Sequence, residues 1–101
     1  MRRILDAGPP PRALFIASDL MAQGAFSVLA AAGLKVPDDV AVIGFDDSPV
    51  AQSVSPRLTT IRQPSFQQGE RMVAVLLELL AGGTPPHATI LETELIVRDS
   101  A

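Results

Sequence analysis

An α/β fold with parallel strands and flanking helices is predicted, and three observations predict it. Two short apolar runs, 13–17 and 40–45, both end in hydroxyl or acidic residues: Ser18-Asp19 after the first, Asp46-Asp47 after the second. An amphipathic segment lies between them, so the order is strand, helix, strand. A second such unit follows, with Leu58 to Arg62, a helical segment over 66–81 and a closing strand over Thr89 to Val97. In an open α/β sheet, ligands bind just outside the carboxyl ends of parallel strands. That rule gathers Ser18, Asp19, Asp46 and Asp47 at one edge.

The elements follow in order. Residues 1–7 read as the end of a helix, stopped by Gly8 and three prolines. The run 13–17 is continuous and short, as in a buried parallel strand. A helix is predicted over 19–32, with Met21, Ala25, Val28, Leu29 and Ala32 on one face. Ser18 or Asp19 caps its start, and Gly33 ends it in a left-handed conformation. Pro37-Asp38-Asp39 turns the chain into the strand at 40–45. Residues 48–57 read as an irregular loop with one helical turn. Ser65 and Gln68 have capping-box spacing for the helix over 66–81, which carries Phe66, Val73, Leu76, Leu77 and Leu80 on one face. Gly82-Gly83-Thr84-Pro85-Pro86 stops it. There is no internal repeat or low-complexity tract.

Composition bounds the function. The chain has 101 residues, 48% of them apolar, with a net charge of −3 and no cysteine. That size suits one domain or a large part of one. An acidic chain lacks the basic surface that grips phosphates, so no duplex DNA binding is expected of it alone. Without cysteine there is neither a disulfide framework nor thiolate chemistry. Met1-Arg2-Arg3 is basic, but Asp6 and the prolines interrupt any signal-peptide core. No apolar stretch reaches membrane-spanning length, so no membrane partner is expected.

Asp46 leaves a strand at a point where Gly44 permits close approach. A carboxylate there can accept hydrogen bonds from two hydroxyls or amines of a sugar or nucleoside. Aspartate also starts turns well, and that reading stands beside the first. Ser18 and Asp19 suit helix capping, while the same helix start can offer amides to a ligand oxygen. Enzyme readings find no support. A phospho-accepting receiver site needs a lysine after a later strand, and the only lysine, Lys35, precedes the acidic pair. Adjacent carboxylates in extended chain point to opposite faces, which disfavours joint metal chelation. His87 stands alone in a Pro-rich loop. No nucleophile elbow, P-loop or dinucleotide fingerprint occurs. Neither a metal nor a cofactor is expected.

Three blocks then carry a resemblance: Ala17-Ser18-Asp19-Leu20-Met21-Ala22-Gln23-Gly24-Ala25, the run from Gly33 to Asp47, and Pro56-Arg57-Leu58-Thr59-Thr60-Ile61-Arg62-Gln63-Pro64. With these spacings, and with the ending Glu94-Leu95-Ile96-Val97-Arg98-Asp99-Ser100, the chain resembles the lactose/galactose repressor family of bacterial transcription regulators. The resemblance implies the C-terminal part of an effector-binding, periplasmic-binding-protein-like domain. Residues 1–57 and 88–101 would belong mainly to its second subdomain, and 58–87 would cross into the first. The DNA-binding headpiece of such a protein would lie outside the chain. The resemblance implies a cytoplasmic regulator that binds a small, sugar-like effector and controls DNA binding allosterically. A periplasmic sugar-binding transport protein, or an interaction-only fragment, is the alternative.

By the same resemblance Asp46 contacts effector hydroxyls. Ser18 stands where many members carry an effector-contacting Asn, and Gln63 and Ser65 lie beside the cleft. Ala22, Ala25, Phe26, Val50 and Val54 match the part that pairs across a dimer. The apolar stripe of the helix over 66–81 needs cover, so a homodimer or larger assembly is expected, with domain swapping as one route.

Overall fold

The computed structural model describes all residues from Met1 to Ala101. Its strands are β1 (Ala13–Phe15), β2 (Ala41–Asp46), β3 (Thr59–Arg62) and β4 (Glu94–Ile96). Its helices are α1 (Arg2–Ala7), α2 (Asp19–Ala31), α3 (Pro49–Ser53) and α4 (Ser65–Leu80). The strands form one sheet in the order β1-β2-β3-β4. The pairs β1–β2 and β2–β3 are parallel, and β3–β4 is antiparallel. The chain divides into two units: unit 1 is Met1–Arg62 with Glu94–Ala101, and unit 2 is Gln63–Thr93. The first division therefore falls after Arg62, because Thr59 to Arg62 is bonded into the sheet of unit 1.

Unit 1 is built on an apolar core of Ala22, Leu29, Val40, Val42, Ala51 and Leu58, all fully buried. Each buried Leu or Val contributes roughly 1.5–3 kcal/mol. Helix α2 crosses from β1 to β2 and lays Asp19, Ala22, Ala25 and Leu29 inward. This face is rotated from the expected one, since Met21 is 63% exposed. The cause is Asp19: a fully buried acid belongs to the inner stripe, and counting apolar residues alone passes over it. Gly33 ends the helix with φ 73°, a conformation that glycine adopts without the Cβ penalty. The Leu34 amide then bonds back to the Leu29 carbonyl, as in a left-handed helix stop.

Strand β2 is one residue longer than expected at its carboxyl end, where Asp46 pairs in register with Arg62. Strand β4 is shorter than expected. Only Glu94–Ile96 finds partners, Arg62 to Thr60 on β3, so 89–93 has no neighbour and is not a strand. After β4 the chain stays on the sheet. Ser100 is fully buried, its Oγ donates to the Val42 carbonyl at 2.6 Å and accepts from the Thr59 amide at 2.8 Å.

Unit 2 holds α4 and the segment after it. The capping box does not form. Ser65 lies inside the first turn, Pro64 is the N-cap, and the Gln68 amide is satisfied by the Pro64 carbonyl. Helix α4 buries no residue, so its Phe66, Val73, Leu76, Leu77 and Leu80 stripe is exposed in this chain.

Candidate functional site

The carboxyl ends of β1, β2 and β3 meet the start of α2, and polar side chains of unit 1 collect there. Ser18 is the N-cap of α2 and its Oγ accepts from the Met21 amide at 3.4 Å. Its first duty is thus to the helix. Asp19 stands next to it but is not on the surface. One carboxylate oxygen accepts from the Thr60 hydroxyl at 2.6 Å, the other from the Ser48 amide at 2.7 Å. These bonds tie α2 to β3 and to the turn after β2. Asp19 was expected at the ligand edge; complete burial with both oxygens engaged makes it a brace beneath that edge instead. Gly44 makes this possible, because any Cβ on it would overlap the Asp19 carboxylate.

Asp46 and Asp47 follow directly. Both have positive φ, 110° and 52°, which is uncommon outside glycine. The two acids have different surroundings. Asp46 is exposed at the last position of β2. The Asp47 side chain is only 6% exposed and is gripped from two sides. Arg62 Nε donates to one oxygen at 2.7 Å and Arg98 Nη2 to the other at 2.5 Å. Arg98 Nη1 also bonds the Leu58 carbonyl, and Arg62 Nη1 reaches Glu94 at 3.3 Å. The Asp47 amide donates to Thr60 Oγ1 at 3.4 Å, joining this cluster to Asp19. The Ser48 hydroxyl is buried with no protein partner.

Burial is the largest single influence on the Asp47 carboxyl and pushes it up. The hydrogen bonds and charges of Arg98 and Arg62 together outweigh it, and the carboxyl sits below its ordinary value of 3.8. A carboxyl lowered on folding stabilises the fold above its unfolded value and loses that contribution as pH falls through the folded one. Asp47→Asn is therefore expected to cost about 2 kcal/mol at pH 7. That is less than a fully buried pair, since half-exposed Arg62 admits water. The gap between wild type and variant should close as pH falls below 3.8. Urea midpoints of both proteins at neutral and acid pH check this, and a gap that stays constant would count against it.

The other expected site residues lie apart from these acids in the chain's division. Gln63 and Ser65 belong to unit 2. Gln63 lines a groove of about 530 Å³ there, with Gln68, Arg71, Leu76, His87 and Leu91, while Ser65 borders a separate apolar patch beside Phe66 and Val73. The expected dimer set divides as well. Ala22 is fully buried and Ala25 is 7% exposed, so within this chain both face the core of unit 1 more than a partner. Phe26, Val50 and Val54 are half-buried on α2, α3 and the residue after it. Sequence reasoning missed Arg62, Glu94 and Arg98. Arg62 had a signal, the end of a strand running parallel to the one that carries the acids. Arg98, 51 residues from Asp47, had none. No group of His, Cys, Asp and Glu is arranged to hold a metal, and no helix is long and apolar enough to cross a membrane.

A mostly parallel sheet, a helix between its first two strands and a polar carboxyl edge are features of α/β ligand-binding domains, and one class that has them is the periplasmic binding protein-like domain. The model of that domain family matches residues 1–101. Among characterised relatives, the HTH-type transcriptional regulator CelR of Thermobifida fusca is 46% identical over 101 residues, which are 99% of this chain and 30% of CelR. The solved CelR–cellobiose complex superposes with a TM-score of 0.92 at 44% identity, covering 99% of this chain and 31% of that one. A lac repressor dimer bound to operator and the anti-inducer ONPF gives 0.88 at 34% identity, over 97% of this chain and 34% of that one. Within the class, the chain belongs to the lactose/galactose repressor family. It spans about 30% of the length of the curated relatives it matches.

Proposed function

We propose that this chain is the part of a dimeric bacterial transcription regulator that senses a small hydroxyl-bearing effector, a sugar or a close relative, and passes the signal to DNA binding. The observation that carries the reading is Asp46. It is an exposed carboxylate at the end of a parallel strand, where open α/β sheets take their ligands. A carboxylate accepts from two adjacent hydroxyls at once. The characterised relatives support the rest, since they are named as transcriptional regulators and not as enzymes. CelR was solved with cellobiose, which makes sugars the first class to try. Ser18, Gln63 and Ser65 complete the proposed contact set, and Phe26, Val50 and Val54 the proposed dimer surface. DNA contact is assigned to residues outside these 101, in keeping with the net charge of −3. Effector that binds two states of the regulator unequally shifts their populations and so changes operator affinity.

The test is calorimetry on the intact regulator with cellobiose and a panel of mono- and disaccharides. Asp46→Ala should weaken binding by about 1.5–3 kcal/mol, the range for a hydrogen bond to a charged group. Ser18→Ala should weaken it less, because its cap role comes first. Unchanged affinity in a folded Asp46→Ala protein removes the acid from the site.

A further inference from the structure

Asp46, Arg62 and Glu94 form one row across three strands. Asp46 pairs in register with Arg62, and Arg62 with Glu94. The row has a topological meaning. Arg62 is the last residue of unit 1 before the chain enters unit 2, and Glu94 is the first after it returns. The exit and the re-entry of the chain thus stand beside the candidate effector acid.

Asp47 joins them. Two consecutive non-glycine residues with φ of 110° and 52° persist only where their surroundings hold them. The turn is held at three points. The Asp47 carboxylate lies between Arg62 and Arg98, its amide on Thr60 Oγ1, and the Ser48 amide on Asp19. The guanidinium of Arg62 spends one N–H on Asp47 and another on Glu94, so a single side chain links the turn to both connections. Arginine can do this because its donors form a rigid fork; lysine offers a single point charge.

We propose that Asp47 is the positioning residue of the effector-binding turn, and that Arg62 and Glu94 extend it into a clamp through which occupancy of Asp46 is felt at both strands leading to unit 2. The proposal rests on the effector reading of Asp46 and adds to it the route out of the site. Displacing the turn displaces Arg62, and Arg62 carries Glu94 with it. Arg98 has a different task. It anchors Asp47 to the Leu58 carbonyl just before β3, and its amide donates to Thr59 Oγ1 at 2.9 Å, so it holds the turn at the ends of β3 and β4 remote from Arg62 and Glu94.

Hydrogen–deuterium exchange of the intact regulator tests the clamp without any ligand. Arg62 and Glu94 are half or more exposed, so Arg62→Gln and Glu94→Gln are tolerable surface changes. In Arg62→Gln, amides of 45–49 and 93–97 should exchange together at least fivefold faster, while 13–16 and α2 keep their rates. In Glu94→Gln only 93–97 should accelerate. A uniform rise over unit 1, or no rise at 45–49 in Arg62→Gln, overturns the clamp and leaves Arg62 a mere stabiliser. A second arm adds cellobiose and the sugar panel at saturating concentration. In wild type, protection at 45–49 should extend to 93–97; in Arg62→Gln it should stay at 45–49. Protection that reaches 93–97 equally in both proteins also overturns the route. If no sugar protects 45–49, the sugar-effector reading fails, while the first arm still decides the clamp.

Discussion

Asp19→Ala should lower the stability of the chain by about 3–5 kcal/mol. The carboxylate is fully buried and accepts from two donors, the Thr60 hydroxyl at 2.6 Å and the Ser48 amide at 2.7 Å. Alanine leaves both donors without an acceptor, and a buried donor stripped of its partner costs roughly 1–3 kcal/mol. A small cavity adds to that. The sum is a large share of the 5–15 kcal/mol that separates a typical domain from its unfolded chain. Asp19→Asn is the sharper control. Its amide oxygen keeps one donor, and the Thr60 hydroxyl can rotate to accept from the new NH2, but the Ser48 N–H cannot reverse. With the oxygen turned to Ser48, that N–H keeps its acceptor and the new NH2 donates to Thr60 Oγ1, so asparagine should cost less than alanine. Denaturant unfolding followed by circular dichroism reads both. A loss under 1 kcal/mol for Asp19→Ala would show that water or a neighbour replaces the carboxylate, against the complete burial seen here.

Gly44→Ala should cost about 3 kcal/mol, the upper part of the range for overpacking a buried site. The methyl group would overlap the Asp19 carboxylate and come within 2.7 Å of Leu58 Cδ2. Both neighbours are fully buried, and neither is a free side-chain end able to swing away. The two substitutions should also be coupled. With Asp19 already alanine, one of the two obstacles is gone, so the double variant should be more stable than the sum of the single losses predicts, by roughly 1 kcal/mol or more. Strict additivity in a double-mutant cycle would mean that Gly44 is constrained by Leu58 alone.

How much of this was legible in the sequence depends on how local each cause is. The parallel pairing of β1 and β2, the Ser18 cap and the left-handed Gly33 were legible, because each is fixed by residues within a turn or by an apolar run of strand length. The face of α2 was misread because its cause is distant. A buried acid sits on the inner stripe, and its acceptors are used by Thr60, 41 residues away. The start of β4 was misread because a strand is only as long as its partner, and β3 stops at Arg62. At the site, position singled out both acids, but nothing in the dipeptide Asp46-Asp47 told their roles apart. That difference comes from Arg62 and Arg98, whose approach to Asp47 depends on the register of a sheet assembled from distant segments. The stripe on α4 was legible, and so was its want of cover within the chain, which follows from the resemblance and not from helical periodicity, since periodicity reports a face and not what covers it.

Strands β3 and β4 are neighbours in sequence order, antiparallel, and joined by everything from Gln63 to Thr93. Topologically they are the arms of a hairpin, and unit 2 is its loop. Closing a loop of about thirty residues instead of a two-residue turn costs roughly 2 kcal/mol more in chain entropy. The two ends already face each other as the paired residues Arg62 and Glu94. A chain in which Asn-Gly replaces the whole excursion is therefore expected to retain every strand pair of the sheet, with a turn whose twist matches its arms. Unit 2 can be viewed as cargo carried on a loop. The sheet's strand pairs do not depend on what the loop contains, so loops of other lengths are expected to be accepted at that point.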